Sequence, residues 1–343
     1  MNINCHSEES SPRLASQFGD HTVFHNPEWA RILSECYGYS PHNVFVTEGA
    51  RTTAMMPVLE VSSPFTGCRA VSLPFSDECP PLLSDGVALE SLVRPLRDLG
   101  VGRNWDYIEI RGDASSIPGA VHSAEFFHHR VALEGTLDEQ FNNLAHAQQR
   151  NIRKARRERV EIHHLNSRDA MDSYYELHCC TRRKQGVPPQ PRRFFHLIHR
   201  HLVDSGHGFI HLARFKERWI AGAVFLTFGK KALYKFGASD PSFQHLRANS
   251  LLMWEALVVC RQLGATELSF GRTDLWNSGL ANFKQSFGGI PQSLHYYRIG
   301  VCKKLEPKRI SSHRRITITS RLATKAPVPL LRLVGGLLYR HIG

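Results

Sequence analysis

Residues 208–239, GFIHLARFKERWIAGAVFLTFGKKALYKFGAS, decide the fold. GFIHLARF, WIAGAVFLTF and ALYKFGAS are apolar segments of strand length, and the connections KER and GKK are long enough only for tight turns, so three consecutive antiparallel strands are predicted. Next comes LRANSLLMWEALVVCRQLGA (246–265), in which Leu251, Leu252, Glu255 and Val259 recur at helical spacing and Gly264 supplies the stop. ELSFG (267–271) follows as a further strand. The order β-β-β-α-β predicts a mixed α/β fold, a central and mainly antiparallel sheet with helices outside.

The same layout occurs earlier in the chain. HNVFV (42–46), a turn through Gly49 and TAMMPVLEV (53–61) form a second strand–turn–strand, and each hairpin is preceded by a helical stretch, Trp29 to Cys36 in one case and Phe194 to Leu202 in the other. Two related α/β units in tandem are therefore expected. Trp105 to Ile110 alternates as a half-buried strand, and Thr136 with Glu139 three residues on forms a capping box that opens a helix. The expected division is an N-terminal tail (1–20), a first unit (21–140), a basic linker helix (141–165), a second unit with the candidate site (166–300), and a basic tail with a short amphipathic helix (301–343).

Composition is that of a folded protein, with 42% hydrophobic and 22% charged residues. The net charge of +12 is unevenly spread: residues 1–144 hold 9 basic and 19 acidic side chains, residues 145–343 hold 34 and 12. One half is thus suited to anionic ligands. Eight cysteines without a CxxC pair, and an opening MNINCHSEES that lacks a basic start and an apolar run, fit a cytoplasmic setting. No metal is expected, because the 20 histidines include no HExxH, and His128-His129 and His163-His164 are neighbours that point apart on a strand. No run of 18 apolar residues exists. In APVPLLRLVGGLLYRHIG (326–343), Leu330, Leu331, Val334, Leu337 and Leu338 form one helix face, expected to dock on the protein's own body. The preceding Lys303, Lys304, Lys308, Arg309, Arg314, Arg315, Arg321 and Lys325 would also suit an anionic membrane surface, and hence a peripheral place at the inner face of the cytoplasmic membrane.

Three constellations could carry chemistry. Arg150, Arg153, Lys154 and Arg157 lie on the basic helix, either as a phosphate-tracking face for tRNA or another polyanion or as a solvated linker, and no aromatic residues interleave with them to stack bases. CCTRRKQGVPPQPRRFF (179–195) is a proline-stiffened loop between helices, in which Lys184, Arg192 and Arg193 are either ligands of an anionic substrate or ordinary surface charge. The sharpest cluster runs from Tyr234 to Gly289. Arg247 and Asn249 stand where a helix begins, and free N–H groups there favour an anion. Arg272 and Asp274 leave the ELSFG strand, and Lys284 is a lone cation among Leu280, Phe283 and Phe287. Tyr234, Phe236, Phe283 and Phe287 read as core or pocket wall.

At these residues the sequence resembles the FemAB-like branch of the GNAT acyltransferase superfamily. The likeness spans roughly residues 20 to 300, through FHNPEWARILSECYG, VSLPFSDECPPLL, RNIRKARRERVEI and RRKQGVPPQPRRFF, and is strongest in LRANSLLMWEALVVCRQLG and FGRTDLWNSGLANFKQSFGG. It implies tandem GNAT-like units and transfer of an acyl or aminoacyl group onto an amine, in the best known members onto a peptidoglycan precursor with aminoacyl-tRNA as donor. Relatives also stand beside exopolysaccharide systems. By motif, Lys284 matches the family's lysine near the substrate diphosphate or developing negative charge, and Arg247-Ala248-Asn249 matches the segment opening the donor-side helix. QHLRANSLL lacks the glycines of the acyl-CoA pyrophosphate loop, and no long helical hairpin for tRNA is evident, so the donor stays open between aminoacyl-tRNA and acyl-CoA, with no cofactor bound. The roles implied are Lys284 for anion or oxyanion stabilisation, Asp274 as proton acceptor or a structural ion pair with Arg272, and Arg247, Asn249, Arg272, Tyr234, Phe283 and Lys184 for substrate binding. The acceptor would be an amine-bearing envelope component. The rival expectations are a noncatalytic RNA- or polymer-binding protein and a decayed GNAT scaffold in an envelope assembly.

Overall fold

The computed structural model describes residues 2–5, 14–19, 21–302, 305 and 324–343, and the chain falls into two compact units. The first comprises Met1–Phe126, Ser293–Arg314 and Leu337–Gly343, and the second Phe127–Gln292 and Arg315–Gly336, so far as these are described.

In the first unit, β1 (Asn2–Cys5), helix α1 (Pro27–Tyr37), β2 (Ser40–Glu48), β3 (Arg51–Ser63), β4 (Gly67–Val71), β5 (Leu82–Leu83), α2 (Glu90–Gly102) and β6 (Tyr107–Ile110) follow in order. The β2–β3 hairpin turns at Gly49, whose φ of +61° a side chain would strain. Residues 2–5 of the expected tail pair with β2, and β4 and β6 pair in parallel, with α2 between them in sequence. Leu92, Val93 and Leu96 of α2 pack on Val44, Val46, Met56 and Val58, and the Trp105 indole donates to Glu60 at 2.7 Å.

The chain leaves this unit within β7 (Ala120–Ala132), and α3 (Leu137–Asn142), α4 (His146–Arg157), β8 (Glu161–Leu165), α5 (Arg168–Lys184) and α6 (Arg192–Ile198) follow in the second. The predicted meander is β9 (Gly208–Phe215), β10 (Arg218–Phe228) and β11 (Lys231–Ser239), and after it come α7 (Ala248–Gln262), β12 (Glu267–Asp274), α8 (Ser278–Gln285), β13 (Ile290–Gly300) and α9 (Val328–Ile342). Strand order within the second unit is β7-β12-β11-β10-β9-β8. Alternation along β10 sends Ala221, Ala223 and Phe225 into the core shared with α4 and α7, while Gly222 lies on the other face, where a Cβ would strike Leu212 and the Tyr174 ring of α5. Helices therefore cover both faces. The capping box at α3 is present, with the Glu139 amide donating to Thr136 Oγ1 at 3.2 Å and the Thr136 amide to Glu139 Oε2 at 2.7 Å.

Two expectations need correction. The basic helix α4 is part of the second unit, because Ile152 and Ala155 are fully buried in its core. On α9 the buried face is Leu331, Gly335 and Tyr339, whereas Leu330, Leu337 and Leu338 are exposed. Gly335 explains the rotation, since a Cβ there would collide with the Pro189 carbonyl. In the second unit Arg332 binds Glu176 at 2.6 Å; in the first, the Tyr39 hydroxyl donates to the Tyr339 carbonyl. Of the basic tail, Lys303, Lys304, Lys308, Arg309, Arg314, Arg315 and Arg321 lie outside the described residues. Among the described residues seven cysteines are free, and no helix is long and apolar enough to cross a membrane.

Buried neutral histidines couple this fold to pH. His25 takes the Thr22 amide on Nδ1 at 2.9 Å and meets the Pro80 carbonyl with Nε2, and burial pushes its pKa down to about 4. His178, held by Gln190 at 2.9 Å, is pushed to about 3 by burial, with Arg182 adding to the shift. An unfolded chain protonates these rings near pH 6.5 and the folded one does not, so their stabilisation is complete above about pH 6.5 and is lost as pH falls toward 4. Thermal unfolding should show a midpoint steady above about pH 7 that drops between about pH 6.5 and 4, as stability falls by up to about 1.4 kcal/mol per pH unit for each ring. His25→Asn should flatten the drop; an unchanged profile would refute the assignment.

Candidate active-site crevice in the second unit

β11 and β12 run parallel, yet their ladder is confined to three pairs, Lys231↔Glu267, Ala232↔Leu268 and Leu233↔Ser269. Beyond it β11 continues to Ser239 along β10, while β12 continues to Asp274. The carboxyl halves of two parallel strands thus splay, and such a gap at the ends of parallel strands is where α/β sheets hold ligands.

The local cause sits at Gly271. Its φ is +67°, and its amide donates to Ser269 Oγ of its own strand at 3.1 Å instead of continuing the ladder. The carbonyls of Gly271 and Arg272 are taken by Lys284 Nζ of α8 at 2.8 and 3.0 Å. Lys284 is 2% exposed, so this ammonium holds the irregular end of β12 from within. His129 on β7 is fully buried nearby, and among the described residues neither ring nitrogen has a hydrogen-bonding partner. Burial foremost, then the Lys284 charge, keeps its pKa down at about 4, hence neutral. His128 points the other way, to Ser269 Oγ at 2.8 Å, as strand alternation requires.

The other wall is β11. Tyr234 lies with its hydroxyl against Gly237, where a Cβ could not fit, and burial pushes the phenol up to about 12, so it stays uncharged. At the end of β11, Thr181 Oγ1 of α5 bonds both the amide and the carbonyl of Ser239, and Asn249 Nδ2 reaches Ser239 Oγ at 3.4 Å. Asp240 caps the 3₁₀ turn Pro241–Leu246, and Arg247 then adopts a left-handed φ of +59°. Such a conformation is costly for a side-chain-bearing residue and is found where structure over-determines it. α7 starts here without a side-chain cap and without an acidic residue in its first turn, so no side chain of its own neutralises its leading N–H groups and dipole.

A buried hydrogen-bond chain joins the two sides. Ser250 Oγ of α7 donates to Gln148 Oε1 of α4 at 2.7 Å, and Gln148 Nε2 donates to Ser286 Oγ at 2.9 Å, two residues after Lys284. The start of α7 and the end of α8 are thereby fixed to one another. Arg247 and Asn249 are exposed at the mouth, Arg272 is exposed on β12, and Asp274 is half-buried about 7 Å farther along the strand than Arg272, given about 3.3 Å per residue. Phe283 is half-buried against Phe287, with ring centroids 5.2 Å apart. Lys184 is exposed at the end of α5. Arg150, Arg153 and Arg157 occupy the exposed face of α4 with Lys154 half-buried; Arg153 lies over the Phe141 ring, and the neighbouring Arg156 is paired with Glu255 at 2.9 Å. Arg192 is committed to Asp172 and Glu176. Sequence reading missed Gln148 and His129, and the only signal for either was the alternation of His128-His129.

Residues 145–285 match the family model of the acetyltransferase (GNAT) domain, so the segment from α4 through Lys284 carries that domain. Among solved structures, FemX is similar over 88% of this chain and 98% of its own, at 13% identity and a TM-score of 0.73. A tandem GNAT protein from the clavulanic acid biosynthesis pathway is similar over 88% and 98%, at 11% identity and a TM-score of 0.57. The C-terminal domain of a putative lysylphosphatidylglycerol synthetase from Agrobacterium fabrum is similar over 85% and 92%, at 11% identity and a TM-score of 0.56. Comparison with curated protein sequences gives no significant match. The likeness establishes the fold, two GNAT-like units in tandem.

Lys284→Met keeps the side chain's bulk and removes its donors, leaving two carbonyls without their partner. Chemical denaturation should show a loss of about 2–4 kcal/mol. An unaltered unfolding curve would show that the ammonium does not hold β12.

Proposed function

We propose that this chain, which carries a GNAT domain within the fold of FemX, is an N-acyltransferase that moves an acyl or aminoacyl group onto an amine of a cell-envelope acceptor in the wedge between β11 and β12. The observation that carries this reading is the coincidence of the wedge with the uncapped start of α7, inside the segment that matches the acetyltransferase domain. An aminoacyl-tRNA and an acyl-CoA both present phosphates on the molecule that bears the activated carbonyl, and a helix N-terminus beside Arg247 and Asn249 suits that charge. The likeness to FemX and to the lysylphosphatidylglycerol synthetase domain supports an envelope acceptor.

In the reaction proposed, the neutral acceptor amine attacks the donor carbonyl, a C–N bond forms, and the carbonyl oxygen takes the negative charge. Collapse of that adduct breaks the bond to the thiol sulfur of CoA or the ribose oxygen of tRNA. The nitrogen's proton passes to Asp274 and on to the leaving group. Lys284 acts by charge and by position: its ammonium sits in a buried setting where Coulomb terms are strong, and it fixes the strand that carries Arg272 and Asp274. Tyr234 and Phe283 supply apolar wall, and Arg272 and Lys184 supply charge for an anionic acceptor.

The test is mass spectrometry of amine acceptors after incubation of the full chain with charged tRNA or acyl-CoA pools. An amide product should form in one donor arm, Arg247→Ala should raise the donor KM, and Asp274→Asn should lower kcat by about 10²–10⁴-fold. Absence of product with every donor, together with salt-sensitive RNA binding, would favour the noncatalytic reading, with Arg150, Arg153 and Arg157 as the interface.

Peripheral contact with an anionic membrane is part of the proposal. Leu330, Leu333, Leu337, Leu338 and Ile342 leave an apolar stripe of α9 exposed, and Phe65, 81% exposed at the β3–β4 turn, lies against His341. Residues 303–325 add eight basic side chains and one acidic. An amphipathic helix with flanking positive charge binds anionic interfaces. The protein should sediment with phosphatidylglycerol vesicles, less so at high salt, and Leu333→Asp with Leu337→Asp should abolish this; equal binding by the double variant would refute it.

A further inference from the structure

Outside the crevice, the first unit gathers three metal-ligating side chains. His122 and Glu125 lie on β7 and His295 on the neighbouring strand β13, and one ligand atom from each lies within 4.8 Å of the others. His122 Nε2 and His295 Nδ1 are 3.1 Å apart. We propose that His122, Glu125 and His295 form a binding site for a divalent first-row transition-metal ion.

The geometry supports a common centre. Two imidazole nitrogens bound to one zinc-sized ion at about 2.0–2.1 Å, and 3.1 Å from each other, subtend about 100° at the metal, between the octahedral and tetrahedral angles. Two imidazoles and a carboxylate are a borderline donor set that suits zinc, cobalt, nickel or iron better than calcium or magnesium, which prefer oxygen. The ligands are held before any ion arrives. Ser123 Oγ donates to the Tyr296 carbonyl at 3.2 Å beside them, the Phe126 and Tyr296 rings pack at 5.0 Å, and the Tyr297 ring lies 5.4 Å from His122. Among the described residues, the Glu125 carboxylate has no hydrogen bond or ion pair and is available. All three side chains are half-buried, which leaves a route for an ion. The ion would clip β7 to β13 in the first unit, where the chain leaves that unit and returns to it.

The sequence hides the site because its ligands are separated by 170 residues, and the spacing of His122 and Glu125 matches no metal motif.

The test is titration of chelator-stripped full-length protein with Zn²⁺ by calorimetry and with Co²⁺ by visible absorption. Twenty histidines will provide weak background sites, so the readout is the difference between variants. The unaltered chain should bind one equivalent more tightly than the rest, show ligand-field bands with cobalt, and melt at a higher temperature with metal. His295→Ala and Glu125→Gln should each weaken that equivalent by tenfold or more, whereas His163→Ala should leave it unchanged. Circular dichroism confirms that each variant is folded. Should His295→Ala misfold, Glu125→Gln, which breaks no side-chain hydrogen bond among the described residues, decides alone. Equal binding by the unaltered chain and Glu125→Gln, or no tight equivalent at all, overturns the proposal, and neither result touches acyl transfer.

Discussion

The hold of Lys284 on the carbonyls of Gly271 and Arg272 is the interaction on which the second unit's crevice depends. A parallel pair of strands left to itself continues its ladder, because each unpaired buried N–H or C=O is costly. Here the ladder stops after three pairs without that cost, since Ser269 takes the Gly271 amide and Lys284 takes the two carbonyls. The backbone groups that would have closed the gap are satisfied from the other side. The ammonium in turn tolerates burial because two carbonyl dipoles solvate it. A neutral His129, with both nitrogens inside the protein, is consistent with that charge nearby, since a second cation would be repelled.

Holding the gap open would serve no purpose if its mouth could drift. The Ser250–Gln148–Ser286 chain ties α7, α4 and α8 at the level of the crevice, and Gln148 is buried enough that each hydrogen bond is worth more than it would be in water. Thr181 does the same for the end of β11 from α5. Four helices are thus tied together around the ends of β11 and β12, and the left-handed Arg247 is the joint that turns the chain from the 3₁₀ turn after β11 into α7. Strain at that single residue is stored where it sets the start of α7.

What could be read from the sequence was what local chemistry determines. The KER and GKK turns, the Thr136–Glu139 capping box and the α7 pattern with Gly264 each depend on a few adjacent residues, and each formed as expected. What escaped depends on distant partners. The irregular end of β12 at Gly271 needs a lysine 13 residues later, and the true buried face of α9 needs Gly335 to admit the Pro189 carbonyl. α4 reads as a solvated linker because its buried side includes Gln148 and Gln149 as well as Ile152 and Ala155, and glutamines show no hydrophobic period. Lys284, Arg247 and Asn249 stand out in the sequence, but the inward direction of the lysine does not.

The two units share a topology, and they differ in what fills the gap between their parallel strands. In the first, β4, α2 and β6 stand in the same sequence as β11, α7 and β12, and the parallel ladder is even shorter, Ala70↔Ile108 and Val71↔Glu109. That opening is filled by the chain itself. Ser72 donates its amide to the Glu109 carbonyl, Arg111 donates its amide to Ser72 Oγ and its guanidinium to the Ser76 carbonyl, and Cys79 bridges to Arg111. Glu109, 8% exposed, stays ionised because Arg111 and Arg298, the latter at 2.8 Å, outweigh the burial that would raise its pKa. The gap after β4 is thus closed by the chain itself with its charges compensated, and the difference between the units lies in residues 72–79, which have no counterpart after β11, where Asp240 and a single 3₁₀ turn lead directly into α7.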